Sequence, residues 1–387
     1  MKGISFFVWR ELRHYRRRPL LLSVMVVAPL LCLCYFPSLM RQGLPTDLPT
    51  GVVDADDSQV SRTFCRTLSA LQSVELTHRY ATFGEARRAV QQGEIYGFYY
   101  IPEDFTDDAL SSRQPRLSFY TNEAFFIPGA LIMKDMKQAS ELANIVMLRT
   151  SLRGKGVDEE RLMPMLQPIA IDTHPLRNPY LNYAVFLCNV FVPGVILLLV
   201  MLCATYTIGM EWKRGTQRQL FRLGGYSVTR ILVGKLLPQT VVFVLVFGVV
   251  DGVFYGLLRF PCHCGVVPMM LLGVLAVLAA QALGVFFFGI FLGQMRMAMS
   301  VCALFGVFSF SMSGLTFPVS AMDAPLQWLS WLIPLRHYYV VYVNMALNGY
   351  PVVYAWQHVA ALLACLLLPL LLLHRYRLAF LKYKYVE

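Results

Sequence analysis

E-W-K-R-G-T-Q-R-Q-L-F-R-L-G-G-Y-S-V-T-R-I-L-V-G-K, residues Glu211 to Lys235, is a basic, partly apolar stretch between two long apolar runs. Glu211 to Leu223 contains no Pro and reads as one helix, about 20 Å long at ~1.5 Å per residue. Gly224-Gly225 stops it, because Gly accepts the left-handed backbone that ends helices. Ser227 is the expected N-cap of the next helix, which runs straight into the following apolar run. Six Lys or Arg against one Glu in the stretch predict a cytoplasmic loop, since basic residues stay on that side of a membrane. A helix held there between two spans is placed to touch a soluble partner.

The composition sets the class. The chain is 57% hydrophobic and 15% charged, whereas soluble domains run near ~45–50% and ~25%. Several apolar runs reach the roughly 20 residues that cross ~30 Å of hydrocarbon. The expected fold is a polytopic α-helical membrane protein. Residues 41–179 carry 15 Lys or Arg and 18 Asp or Glu, a balance of −3, which leaves +14 for the remainder. The basic excess therefore flanks spans and anionic head groups and is no sign of nucleic-acid binding. Six of the nine Cys fall in apolar runs, where Cys behaves as a small hydrophobe.

Residues 1–19 read as a cytoplasmic amphipathic helix lying on the inner leaflet, with Phe6, Phe7, Trp9, Leu12 and Tyr15 among six basic residues. The first span covers 20–40; it is too long for a signal peptide, and no A-x-A-like cleavage site follows. Residues 41–179 then lie outside and alternate strand and helix signals. Gly51–Asp54, Val74–Tyr80, Tyr96–Ile101 and Arg116–Tyr120 are the strand candidates. Ser58–Leu71, Thr82–Gln92 and Glu123–Leu152 are the helical ones, with a break expected at Pro128-Gly129. This is an extracytoplasmic α/β domain inserted between the first and second spans. Residues 180–387 supply five further spans, for six transmembrane helices in all. The apolar piece 319–349 is interrupted by Pro325 and Pro334. It reads as outer, re-entrant helices, because a seventh crossing would put the basic tail outside. Trp328, Trp331, Tyr338, Tyr339 and Tyr342 suit an aromatic belt there.

These residues resemble a known family. W-R-E-L-R-H-Y-R-R-R-P at Trp9 to Pro19 is similar to the elbow helix of type-2 ABC exporter permeases with a large outer domain, the bacterial multidrug or antibiotic kind. V-V-D-A-D-D-S at Val52 to Ser58 and Y-Y-I-P-E-D-F at Tyr99 to Phe105 resemble segments of that outer domain. Glu211, Arg214-Gly215-Thr216, Gln219-Leu220 and Gly234-Lys235 resemble the coupling-helix signature, with Gly225 where a Pro is common. S-G-L-T-F-P-V at Ser313 to Val319 and W-L-I-P-L-R at Trp331 to Arg336 resemble the outer re-entrant region. The resemblance implies a dimer, of identical or related permeases, carrying cytoplasmic ABC ATPase subunits. A periplasmic adaptor and an outer-membrane channel are further partners it admits. It also implies a bacterial inner-membrane location with both termini cytoplasmic. On this reading Glu211, Arg214, Gly215, Thr216 and Leu220 couple the spans to the ATPase.

The chain lacks a G-x-x-x-x-G-K-[ST] loop; before Gly234-Lys235, Thr229 stands where the first Gly belongs. No cofactor is expected on this chain, with ATP and Mg entering through the partner. Asp251, an acid inside the third apolar run, and Gln281 in the fourth are candidates for a substrate path. Of the two, Gln281 better suits a helix–helix hydrogen bond. Cys262-His263-Cys264 offers soft ligands, but three in a row seldom close a tetrahedral site, and no metal is expected. The leading expectation is an exporter permease for an amphiphilic or hydrophobic substrate. The competing reading is a membrane-anchored sensor or scaffold whose outer α/β domain binds a ligand or a protein.

Overall fold

The structure is a computed structural model that describes residues 3–111, 116–154 and 182–382. The expected boundary near residue 179 and the tail residues Lys384 and Glu387 lie outside them. The chain divides into two compact units, Met1–Arg41 with Pro175–Glu387, and Gln42–His174.

The inserted unit is α/β. Its strands are β1 (Leu48–Asp54), β2 (Val74–Tyr80), β3 (Gly97–Ile101) and β4 (Ser118–Thr121), in the sheet order β2-β1-β3-β4. β1 pairs parallel with β2 and β3, while β4 closes antiparallel on β3. Alternation along β1 sends Val52 to one face and Val53 to the other, and each face has its own core. Val52 packs with Phe64, Leu68 and Tyr99; Val53 packs with Ala86, Ala89 and Phe98. Ser58 caps the helix Gln59–Ser69 by accepting from the Ser61 amide, and Thr82 caps Phe83–Gln92 by accepting from the Glu85 amide. The expected break at Pro128-Gly129 does not occur. The helix starts at Phe126, so Pro128 sits in its first turn, where the missing N–H has no intrahelical partner to lose.

The other unit is helical, and among the described residues six helices are long and apolar enough to span a bilayer: Pro19–Leu39, Tyr183–Lys213, Val228–Leu257, Val266–Ile290, Met295–Met312 and Val352–Lys382. Tyr183–Lys213 is central, burying Cys188, Val192, Ile196 and Val200 against Phe243, Ala276 and Ala280 of its neighbours. Its 31 residues make about 46 Å at ~1.5 Å per residue, some three turns more than ~30 Å of hydrocarbon needs.

Between the fifth and sixth spans lie Ala324–Ser330 and Pro334–Tyr342, both too short to cross. Trp328 is exposed as an interface residue would be. Tyr338 and Tyr342 depart from the expected belt: both are buried in the bundle core, Tyr338 edge-on to Phe247 at 5.7 Å. Their i, i+4 spacing puts both on the inward face of one helix.

Candidate functional site

The stretch 211–235 is not one helix followed by another. The second span continues to Lys213, and a separate seven-residue helix, Gln217–Leu223, follows a turn. Gly215 is the reason, since its φ of +69° is left-handed. The Thr216 amide returns to the Glu211 carbonyl and the Gly215 amide to the Trp212 carbonyl, which is a Schellman cap. The same motif recurs at the other end. The Tyr226 amide returns to Phe221 and the Gly225 amide to Arg222, with left-handed φ at Gly225 and Tyr226 rather than at Gly224. Ser227 then caps the third span by accepting from the Arg230 amide. Arg-Gly-Thr thus ends a helix, where the sequence reading carries the helix through.

Seven residues cannot hold a helix alone in water, so packing must do it. Leu220 and Phe221 are buried with Phe7, Trp212 and Phe380. Phe380, from the last helix Leu373–Lys382, stacks on Phe221 at 5.2 Å and lies 4.7 Å from Trp212. The first helix, Ile4–Arg16, closes in from the other side, against Gly234. A Cβ at that glycine would stand 2.6 Å from the Phe7 Cβ, so only glycine allows this approach.

The approach brings charges together behind the small helix. Lys235 Nζ donates to Glu211 Oε1 at 2.8 Å and to Glu11 Oε1 at 2.5 Å. Arg10 donates to Glu211 Oε2 at 3.0 Å, and the Thr216 hydroxyl donates to that same oxygen. His14 Nδ1 is 3.7 Å from Glu11 Oε1. Glu11, Glu211 and Lys235 are 3%, 4% and 2% exposed. Two carboxylates against Lys235 and Arg10 make a neutral set, as a buried ionic cluster requires. For Glu11, burial pushes the carboxyl up, but Lys235 and the His14 hydrogen bond outweigh it and hold it below its ordinary value.

The sequence-predicted residues therefore separate into an inner and an outer group. Glu211, Thr216 and Leu220 face inward, and Glu211 cannot touch a soluble protein from where it sits. Arg214 and Gly215 are exposed in the turn, and with Lys213, Arg218 and Arg222 they form a basic outer surface. Asp251 and Gln281 belong to neither group. Gln281 Oε1 accepts from Thr240 Oγ1 at 2.7 Å and its amide donates to the Leu236 carbonyl, tying the third span to the fourth. Asp251 is 1% exposed, and its Oδ2 has no hydrogen-bond partner. It lies eleven residues past Thr240, about 16 Å along the helix, so the two do not form one site. Among the described residues no group of three or more His, Cys, Asp or Glu is placed to hold a metal.

Sequence reasoning missed Arg10, Glu11 and the role of Lys235. A signal was present: Glu11 is the one acid among the first 18 residues, and Lys235 stands one turn inside an apolar run. Such charges demand partners, but nothing local says which.

An elbow helix, a long second span ending in a capped turn and a basic helix before the third span are the features by which the chain resembles the membrane subunit of a transporter. The chain matches the family described as ABC-2 family transporter protein over residues 19–374, and it belongs to that family. The family's membrane subunits work with a separate ATPase subunit and typically carry no nucleotide site of their own. No curated protein matches the chain.

Proposed function

We propose that this chain is the permease subunit of an ATP-driven exporter, forming the path by which an amphiphilic or hydrophobic substrate moves outward. A partner ATPase supplies the hydrolysis. The supporting observation is the buried cluster of Glu11, Glu211, Lys235 and Arg10. It joins the elbow helix, the end of the second span and the start of the third into one block behind the helix Gln217–Leu223. A push on that helix is then borne by three elements together. Contact with the ATPase falls to the exposed Arg214, Arg218 and Arg222, which suit an acidic cleft, while Glu211, Thr216 and Leu220 position the helix. The transporter works as a dimer of identical or related permeases in a bacterial inner membrane. Both termini and the helix lie in the cytoplasm, and the α/β unit lies outside, within reach of an adaptor and an outer-membrane channel.

The test is co-purification with the candidate ATPase, followed by ATP turnover with and without the permease in lipid nanodiscs. Association and stimulated turnover are expected, and both should fall in a variant with Arg218→Glu and Arg222→Glu. Absence of association, or full stimulation by the charge-reversed variant, would refute the assignment.

A further inference from the structure

The inserted unit holds a cleft of about 540 Å³ that the transport reading does not use. It opens between the helix Phe83–Gln92 and the outer end of the sheet, where β4 leaves one edge unpaired. Aromatic rings make its wall. Tyr120 stacks on Phe98 with centroids 5.0 Å apart and planes at 17°, and Phe83 meets both edge-on, at 4.9 and 5.3 Å. Phe98 is buried and anchors the group, whereas Tyr120 is 43% exposed and presents its ring at the mouth. An exposed aromatic braced this way is a rigid platform, with little rotamer freedom left to lose on binding.

The polar lip has one sign. Arg87 and Gln91, a turn apart on the helix, line the cleft, and neither side chain bonds to another described residue. Among the described residues no Asp or Glu lines it, so Arg87 is the charged group at the lip. The volume lies in the ~300–1,000 Å³ range of small-molecule sites, and apolar walls with a few converging polar groups are their usual make-up. We infer that this cleft binds a small planar aromatic carboxylate, its ring against Tyr120 and Phe83 and its anionic end on Arg87. Arg suits that end because its planar fork matches a carboxylate. The inference holds whatever the transported substrate is.

The test uses the full chain in lipid nanodiscs, titrated calorimetrically with 2-naphthoate, with empty nanodiscs subtracted. Saturable binding is expected, roughly tenfold weaker in Arg87→Gln, the loss that removing one exposed charge-assisted hydrogen bond brings. Arg88→Gln, on the same helix but outside the cleft, should bind as the parent does. Neutral 2-naphthamide should bind the parent no better than 2-naphthoate binds Arg87→Gln. Circular dichroism checks that the variants are folded, which exposed side chains permit. No saturable binding, equal affinity in Arg87→Gln and Arg88→Gln, or equal binding of the amide would each overturn the inference.

Discussion

Replacing Lys235 with Met keeps the length and apolar stem of the side chain and removes only its charge. In the native protein that charge sits 2.8 Å from one buried carboxylate and 2.5 Å from another. Without it, Glu11 and Glu211 face each other with Arg10 as the arginine still paired with them among the described residues. Breaking a buried ion pair typically costs about 3–5 kcal/mol. The structure sets a ceiling on that figure, because the mutant can take up a proton. Protonating a carboxyl with a reference pKa near 4.3 at pH 7 costs ~3.7 kcal/mol, at 1.36 kcal/mol per pH unit. A loss of about 3 kcal/mol is therefore expected at pH 7. At ~2–4 °C per kcal/mol for units of this size, Tm should fall by roughly 6–12 °C. The assay is thermal unfolding in detergent followed by tryptophan fluorescence, since Trp212 packs against Phe288 and Phe380 in this region. The deficit should shrink at acid pH, where one carboxyl protonates at little cost. Adding Glu11→Gln to Lys235→Met should recover most of it, leaving Glu211 paired with Arg10. A Tm within 1 °C of the parent, or a double variant as unstable as the single one, would refute the account of the cluster.

Gly234→Leu forces a side chain into the Phe7 contact, where even a Cβ would be 2.6 Å away. It should cost about 1–3 kcal/mol by overpacking and free the elbow helix to protease, read by cleavage after Arg10 or Arg13. Because Glu11 is held below its ordinary pKa, its contribution is full above its unfolded value near ~4.3 and is lost as pH falls through the folded one. Parent and Glu11→Gln proteins should thus differ in Tm at pH 7 and converge in acid; a constant gap would contradict this. Cys65 is 2% exposed, and burial with nearby Asp54 pushes its thiol up to about 11. It should resist maleimide in the folded protein and react after denaturation, which mass spectrometry of the Cys65 peptide reads directly.

Long elements with one dominant signal were legible in the sequence. The apolar runs, the caps Ser58, Thr82 and Ser227, and the strands at Val74–Tyr80 and near Gly97–Ile101 all declare themselves within a few residues. What failed was short-range punctuation with two meanings. Gly215 lies in a Pro-free run that reads as one helix, yet with Thr216 after it the turn closes as a cap. Pro128-Gly129 reads as a break, yet it falls where a helix starts. The charge cluster was out of reach for a different reason. Its pairings join residues 201 and 224 positions apart, and periodicity reports which face a residue takes, not which distant helix meets it. Tyr338 and Tyr342 were misplaced on the same account, because their composition suits a membrane interface and only the neighbouring bundle decides that they turn inward.

The separation of 224 positions between Glu11 and Lys235 has a consequence for biosynthesis. At ~5–20 residues per second, the elbow helix waits about 11–45 s after its own synthesis before Lys235 exists. For most of that interval, until Glu211 is made, Glu11 has neither Lys235 nor Glu211 beside it, and an unpaired carboxylate stays in contact with water. The elbow can take its buried position only once the start of the third span has arrived, so its docking marks the moment at which the first two spans and the beginning of the third are present. A chain stalled before that point keeps an exposed, arginine-flanked amphipathic end, a difference that a protease or chaperone at the membrane surface can read.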